Sequence, residues 1–150
     1  MATREILRDS CWLVTAHQTT LKFRSGQAGF LNITRDVQRV VADSRISIGL
    51  CTVFVQHTSA SLVIQENADP AVLRDLEAWM RDMVSESRGW EHDEEGADDM
   101  PAHVRSALTK TSESIPVHDG RLVLGIWQAL YLWEHRRRSH TRSVVVHVQG

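Results

Sequence analysis

ISIGLCTVFVQ, residues 46–56, is the segment on which the assignment of a fold class rests. It is rich in β-branched residues and apolar on both faces, so we predict a strand inside a sheet rather than a helix. The period of two places Cys51, Val53 and Val55 on one face. His57 continues this face just past the strand, where a polar side chain can reach a cleft.

Strand and helix signals surround this segment on both sides. On the N-terminal side, β-rich runs at residues 11–23 and 30–33 predict a pair of strands. Thr34 is the expected cap of a helix that ends near Ser44 and whose apolar stripe suits packing against a sheet. A further strand is predicted at residues 61–65.

The clearest helix signal lies downstream, where Asp69 is the expected cap and Pro70 the first helical residue. The period of the apolar residues extends this amphipathic helix to about Val84, and we expect it to cover one side of the core. The acidic segment 88–100 is predicted to be a surface loop, because so many carboxylates cannot pack as core. Pro101 then suits the first turn of a short helix.

The last third of the sequence is strand-like. Runs at residues 114–117, 121–134 and 144–148 are separated by the turn at 118–120 and by an arginine-rich turn, which predicts a meander of antiparallel strands. Trp127, in the longest run, is expected in the core. The predicted class is therefore α+β: an antiparallel two-layer β-sandwich-like core with two or three flanking helices, in a single domain over residues 1–150.

The composition restricts the class of partner. With 150 residues, 42% of them hydrophobic, the chain can bury one core. Its net charge of −2 and sequence pI near 6.4 argue against binding to nucleic acid. No segment looks like a membrane span or a secretion signal, so we expect a cytoplasmic protein that does not contact a membrane. Cys11 and Cys51 are expected to be buried free thiols there.

Eight histidines make metal ligation and proton transfer the first chemistries to consider. His57, His92 and His103 lie in three separate polar stretches and are the metal-ligand candidates, since three imidazoles can leave an open coordination position. Ordinary surface or core histidines are the alternative for each of them. The carboxylates that crowd residues 91–99 would suit a divalent cation, zinc or magnesium, although plain solvation explains most acidic runs.

Other polar residues are candidates for binding a substrate. Glu66 could act as an acid or base and Asn67 could orient a substrate, unless this segment is only a polar turn before the helix that Asp69 caps. The hydroxyls of Thr58 and Ser59 could bind phosphate oxygens, although the sequence has no glycine-rich phosphate loop.

Two features of the last third remain open. Gln128 is a polar residue in an apolar row, so it either bonds to backbone or lines a cleft. Arg136, Arg137 and Arg138 at a hairpin tip could meet phosphates, but a solvated turn that protects a sheet edge is the more common arrangement. No Gly-x-Ser-x-Gly elbow supports a serine nucleophile.

Several longer stretches together resemble a known family. They are HTSASL at residues 57–62, ENADP at 66–70, EHDEEGADDMPAH at 91–103, GRLVLGIWQ at 120–128 and LWEHRRR at 132–138. These motifs make the chain similar to the YjbQ family, also described as the secondary thiamine-phosphate synthase family, over nearly all residues from Thr15 onward. Two positions depart from the pattern: Gln65 stands where asparagine is usual, and Ile126 where threonine commonly follows the glycine.

The resemblance implies a β-sandwich-like α+β fold assembled as a homotrimer, with clefts near the subunit contacts. It also implies weak thiamine-phosphate synthase activity, a transfer that joins a pyrimidine diphosphate to a thiazole phosphate and expels pyrophosphate. A divalent ion would neutralise that leaving group. The alternative is a trimer that binds a metal or a phosphorylated ligand without catalysis.

The family's motif residues carry over to nine positions of this chain. The catalytic candidates are His57, Glu66, Asn67 and Gln128. The substrate-binding candidates are Thr58, Ser59 and Asp69. The metal candidates are His57, His92 and His103.

Overall fold

The structure, a computed structural model, describes residues 15–150 and has the predicted α+β class. Three helices and eight strands follow one another along these residues. In chain order they are β1 (Ala16–Arg24), β2 (Gly29–Asn32), α1 (Thr34–Ser44), β3 (Gly49–Val55), β4 (Ala60–Glu66), α2 (Pro70–Met83), α3 (Asp99–Leu108), β5 (Ser112–His118), β6 (Arg121–Leu122), β7 (Gln128–Glu134) and β8 (Thr141–Gln149). The prediction for Cys11 lies outside the described residues, whereas Cys51 is a buried free thiol as predicted.

Two antiparallel sheets form the core, which confirms the predicted two-layer arrangement. One sheet has five strands in the order β1-β8-β3-β5-β6, and the other has three in the order β2-β7-β4. Their inward faces bury Val53, Val146 and Leu130. Val53 and Val146 alternate with less buried neighbours as the pleat requires, whereas β7, which carries Leu130, is buried on both faces. Val37 and Val41 on α1 join the same hydrophobic core.

The segment at residues 46–56 provides a central strand, as predicted. β3 lies between β8 and β5, and its Cys51, Val53 and Val55 are buried on one face. The strand begins at Gly49 rather than Ile46, because the chain is still turning after Arg45, which ends α1 in the left-handed conformation.

The predicted pairing of the first two strands is wrong. β1 pairs with β8 in the five-stranded sheet, whereas β2 pairs with β7 in the other sheet. Thr34 is also not a helix cap: it is the first residue of α1, and its hydroxyl bonds to the backbone of Leu130. Asn32 accepts the Thr34 N–H instead, at 3.0 Å. The side chain of Thr34 thus joins α1 to β7.

The long run at residues 121–134 is not one strand, so the predicted meander is also wrong. β6 ends at Leu122 in the five-stranded sheet, and β7 begins at Gln128 in the three-stranded sheet. A turn between Gly125 and Gln128 redirects the chain, and it leaves Trp127 63% exposed rather than in the core. The predicted turn at 118–120 is confirmed by the positive φ of Asp119 and Gly120, as in the tightest hairpins.

Helix α2 begins as predicted. Asp69 Oδ1 accepts the Ala71 N–H at 2.8 Å, and Pro70 is the first helical residue. Helix α3 begins at Asp99, two residues before Pro101. Among the described residues, no helix combines the length and the apolar character that crossing a bilayer requires.

Candidate functional site

His92, Asp99 and His103 bring three potential metal-ligand atoms together. One atom from each residue lies within 4.8 Å of the others. Asp99 Oδ2 lies 2.8 Å from His92 Nε2 and 3.5 Å from His103 Nε2, and the two imidazole rings have their centroids 5.7 Å apart. Both rings are partly exposed, so a ligand can reach the group from solvent.

The local sequence explains why these three side chains meet. Asp99 and His103 are four residues apart on α3, so they lie on one face of the helix. The turn before α3 passes through Gly96, whose φ of +113° favours glycine, and the Asp99 N–H bonds to the Gly96 carbonyl at 3.0 Å. This turn folds the loop with His92 back over the first turn of the helix.

Arg136 fixes the carboxylate of the group. Its Nη1 donates to Asp99 Oδ1, its Nε donates to Asp98 Oδ2 at 3.1 Å, and its Nη2 donates to the Glu95 carbonyl at 3.0 Å. The prediction of a solvated arginine turn is therefore wrong for this residue. The acidic loop is also not wholly at the surface, because Asp99 is only 2% exposed and needs this cationic partner.

Backbone contacts select the tautomer of His103. Its Nδ1 lies 2.9 Å from the Thr58 carbonyl, which accepts a hydrogen bond only if Nδ1 carries the proton. Its Nε2 lies on the other side of the ring, toward Asp99 Oδ2. Metal-ligating histidines are usually held in this way, by a carbonyl on the second ring nitrogen. Two imidazole nitrogens and one carboxylate oxygen could hold a divalent metal ion and leave a coordination position open.

His57 lies near this group but is not part of it. Its Nε2 accepts the backbone N–H of Ser143 at 2.8 Å, and burial and then the Arg142 cation lower the pKa of its imidazole. Its role as a third metal ligand stays a prediction. The adjacent Thr58 and Ser59 contribute carbonyl oxygens, the first to His103 and the second to Arg142 at 3.3 Å.

The other predicted site residues form a second cluster. Asn67 Nδ2 donates to the Gln128 carbonyl at 3.2 Å, and Glu66 Oε1 accepts the Asp69 N–H at 3.3 Å. Gln128 is exposed, and its Oε1 accepts the Gly125 N–H at 2.8 Å, so both alternatives for it hold: it bonds to backbone and lines a cleft.

That cleft has a volume of about 750 Å³. Besides Asn67 and Gln128, the guanidinium-bearing side chains of Arg35 and Arg39 on α1 line it. Arg39 also pairs with Asp36 at 3.0 Å on the helix surface. The cleft is therefore polar and carries cations that suit an anionic substrate.

The two clusters lie at opposite ends of β4. Ala60 at one end pairs with Glu134 on β7, and Glu66 at the other end pairs with Gln128. The six steps from Ala60 to Glu66, at about 3.3 Å each, separate the two ends by roughly 20 Å. Within one chain, the histidine group and the Glu66 cluster therefore cannot contact the same small molecule.

A buried ion pair, not predicted from the sequence, lies between the sheets. Glu134 and Arg142 are 1% and 3% exposed, and Arg142 Nε donates to Glu134 Oε2 at 2.7 Å. Arg142 also reaches the Ser59 carbonyl, and Glu134 Oε1 accepts the Arg136 N–H at 2.9 Å. The only signal in the sequence was a glutamate at the end of an apolar run.

His135 is a second buried polar residue near the site. Its Nε2 lies 2.9 Å from Ser61 Oγ, and burial, followed by the nearby Arg105 cation, lowers the pKa of His135 to about 3. The ring is therefore neutral in the folded protein at neutral pH. In an unfolded chain the pKa would be about 6.5.

We expect this difference to make stability depend on pH. As the pH falls below about 6.5, the imidazole of His135 becomes protonated in the unfolded chain but stays neutral in the folded protein. The free energy of unfolding therefore decreases. Between pH 6.5 and 5 the loss should be about 2 kcal/mol, with His57 adding to it in the same direction. Urea unfolding at pH 7 and 5 measures it.

The His135→Gln variant should lose most of this pH dependence, because glutamine does not titrate. The matched control is His118→Gln, at an exposed position, and it should behave like the parent protein. Equal pH slopes in all three proteins would contradict the assignment.

Comparisons with known proteins give one consistent result. A family model described as UPF0047 protein YjbQ-like matches residues 19–150. A UPF0047 protein from Synechocystis is 56% identical over 89% of this chain and 92% of its own length. YjbQ from Escherichia coli O157:H7 is 42% identical over 89% of this chain and 98% of its own length.

Solved structures agree with the sequence comparisons. A crystal structure of a YbjQ-like protein of unknown function from Sulfolobus solfataricus matches with a TM-score of 0.84 and 26% identity, over 92% of this chain and 99% of that one. A conserved hypothetical protein from Thermus thermophilus matches with a TM-score of 0.75 and 34% identity, over 85% and 97% of the two chains.

Proposed function

Because this chain belongs to the YjbQ-like UPF0047 family, we propose that it is an enzyme that acts on phosphorylated small molecules at a metal-assisted site. The proposed reaction is a slow thiamine-phosphate synthesis, in which a pyrimidine diphosphate is joined to a thiazole phosphate and pyrophosphate leaves. The observation that carries the proposal is the convergence of His92 Nε2 and His103 Nε2 on the Asp99 carboxylate.

The donor set of this group favours zinc over magnesium. Imidazole nitrogen is a common zinc ligand, whereas magnesium prefers oxygen donors and retained water. A divalent ion bound there would supply positive charge to neutralise a diphosphate leaving group. Arg136 would hold Asp99 in place, and the Thr58 carbonyl would hold His103.

The cluster at the other end of β4 supplies the remaining proposed roles. Glu66 is the proposed acid or base, Asn67 and Gln128 would orient the substrate, and Asp69 supports this segment as the cap of α2. Thr58 and Ser59, whose hydroxyls we propose to bind phosphate, lie at the histidine end of β4 instead. Since roughly 20 Å separates the two ends of β4, a complete site needs a second subunit.

We therefore propose a homotrimer in which each site combines the histidine end of one subunit with the Glu66 end of its neighbour. Exposed apolar side chains support an assembly of this kind, because contiguous apolar patches on a protein surface often mark interaction sites. Ile126 is 81% exposed and Trp127 63%, and both lie next to Gln128 in the cluster. Trp79, Met83 and Leu108 on the helices are 55%, 50% and 59% exposed.

Replacing Trp127 by glutamate should shift the assembly toward monomer, because a buried carboxylate at a contact is unfavourable. The loss should be about 2 kcal/mol per contact, measured by light scattering after size-exclusion chromatography over a range of concentrations. The control is Val145→Glu on the five-stranded sheet, which lies away from the Glu66 cluster. A parent protein that is monomeric at all concentrations would contradict the trimer.

Location in the cytoplasm is part of the same proposal. Cys51 is a buried free thiol, and burial raises the pKa of this thiol to about 11, so it is neither ionised nor paired. Free thiols of this kind suit a reducing compartment such as the cytoplasm.

A direct assay tests the proposed reaction. Purified protein would be stripped of metal, reloaded with zinc or magnesium, and supplied with the pyrimidine diphosphate and the thiazole phosphate while pyrophosphate is measured. We expect slow release that needs the metal and that falls sharply in Asp99→Asn. Release that is the same with and without metal would refute the metal-assisted site.

A binding protein without catalysis is the second candidate. The observation that favours it is the position of Glu66, the proposed acid or base, at the far end of β4 from the histidine group. This candidate predicts tight metal retention and no pyrophosphate release from any diphosphate supplied. The same assay therefore separates the two functions.

A further inference from the structure

A second cleft lies on the other side of α3 from the histidine group. Its volume is about 450 Å³, and three arginines, Arg81, Arg105 and Arg137, line it together with Glu77 and Glu86. On an α-helix, two residues of separation correspond to a rotation of about 200°. Arg105 therefore points away from His103, and this cleft is separate from the histidine site.

Arg105 is a buried cation with incomplete hydrogen bonding. The residue is 3% exposed, and its Nη2 donates to the Val84 carbonyl at 3.1 Å. Its Nε is buried without a hydrogen-bond partner among residues 15–150, and no carboxylate of these residues forms a salt bridge with it. A buried guanidinium without a directly bonded anion is unfavourable, so an anionic group that bonds to it would stabilise the site.

The two glutamates of the cleft do not supply that partner. Glu77 accepts the Trp133 indole N–H at 2.6 Å and lies 3.9 Å from Arg81, while Glu86 pairs with Arg137. Each carboxylate is thus held by another group, and Glu77 acts on Arg105 only as a nearby charge, without a salt bridge. The side chains of Arg81 and Arg137 are 64% and 65% exposed, so their weak surface pairs can rearrange around a ligand.

We propose that this cleft binds the phosphoryl group of a small organic phosphate. Arg105 would be the anchoring cation, with Arg81 and Arg137 turning toward the same group. A phosphoryl group has more acceptor oxygens than one arginine can satisfy, which suits three guanidinium groups better than a carboxylate does.

An adjoining groove accommodates the organic part of the ligand. It has a volume of about 420 Å³, shares Glu77 and Arg81 with the cleft, and is lined further on by Phe30, Leu73 and Ala78. The combined shape is therefore a cationic end followed by an apolar floor. The site does not depend on the function proposed for the histidine group.

Titration with inorganic phosphate tests the cationic end. The full chain, freed of metal so that the histidine group cannot hold phosphate, would be titrated to roughly 10 mM while ³¹P NMR line width and melting temperature are followed. Chloride would keep the ionic strength constant. We expect saturable binding of phosphate and, in a parallel arm, much weaker binding of acetate.

Variants identify the residues. Arg105→Met should weaken phosphate binding about tenfold, since it removes the charge-assisted hydrogen bonds of the anchor. The double change Arg81→Gln and Arg137→Gln alters only exposed side chains and should weaken it about threefold. The matched control, Arg121→Gln on β6, removes the same charge at an exposed position that lines neither this cleft nor the one beside Gln128, and it should have no effect.

The outcomes are decisive in both directions. No saturable phosphate binding by the parent protein, or binding that the Arg105 variant and the double variant leave unchanged, would overturn the proposal. If Arg105→Met fails to fold, the double variant alone decides. Asp99→Asn should keep phosphate binding while losing metal binding, so failure of this site and failure of the proposed function give different results.

Discussion

Replacing Arg142 by methionine should lower the free energy of unfolding by about 3–5 kcal/mol. The change leaves the Glu134 carboxylate, 1% exposed, without its cation. Burial alone would raise the pKa of Glu134, but the hydrogen bonds from Arg142 and the backbone N–H of Arg136 outweigh burial and lower it. Without Arg142, the folded protein must either bury an unpaired charge or take up a proton. Urea unfolding at pH 7 measures the loss.

A double variant separates the pair from its surroundings. Adding Glu134→Leu to Arg142→Met removes both charges, and an apolar pair of similar volume should recover much of the lost stability. The surface pair formed by Arg39 and Asp36 is the control, because Arg39→Met should change stability by less than about 0.5 kcal/mol. Arg142→Met with the stability of the parent would show that the ion pair is not maintained.

Alanine in place of His92 or His103 should weaken zinc binding by more than about 100-fold, since changes to residues behind a metal's ligands already weaken it 10- to 100-fold. Each change removes one of the nitrogens that converge on Asp99. Both rings are partly exposed, so the fold should survive. Competition with a chromophoric chelator measures the affinity.

The control for this experiment is His118→Ala, at an exposed histidine near the β5–β6 turn. It should bind zinc like the parent. The same change at His57 tests the third ligand predicted from the sequence, and an equally large loss would add His57 to the set. Zinc affinity within threefold of the parent in both the His92 and His103 variants would exclude the group as a metal site.

Local signals in the sequence predicted the elements better than their partners. The cap at Asp69, the turn at Asp119 and Gly120 and the buried face of β3 depend on neighbouring residues, and all three are confirmed. Strand pairing depends on residues far apart in the chain. No nearby residues therefore indicate that β1 and β2 belong to different sheets.

At the candidate site, too, single residues were predictable from the sequence but their contacts with distant residues were not. His92 and His103 were singled out as histidines, but Asp99 was counted with the solvated acids of its loop. Its burial depends on Arg136, which is 37 residues away and was placed in a solvated turn. No periodicity or motif reveals such a pair, since it forms only when the turn after β7 lies against the first turn of α3.

The position of β8 has a consequence for how the protein is made. β8 is the eighth strand in chain order, yet it lies between β1 and β3. While a ribosome is still adding these residues, β1 and β3 each present an edge with unpaired backbone groups, which invites association with other chains. Pairing across such distances also slows folding, to milliseconds or longer rather than microseconds. The five-stranded sheet can therefore close only after β8 has been synthesised.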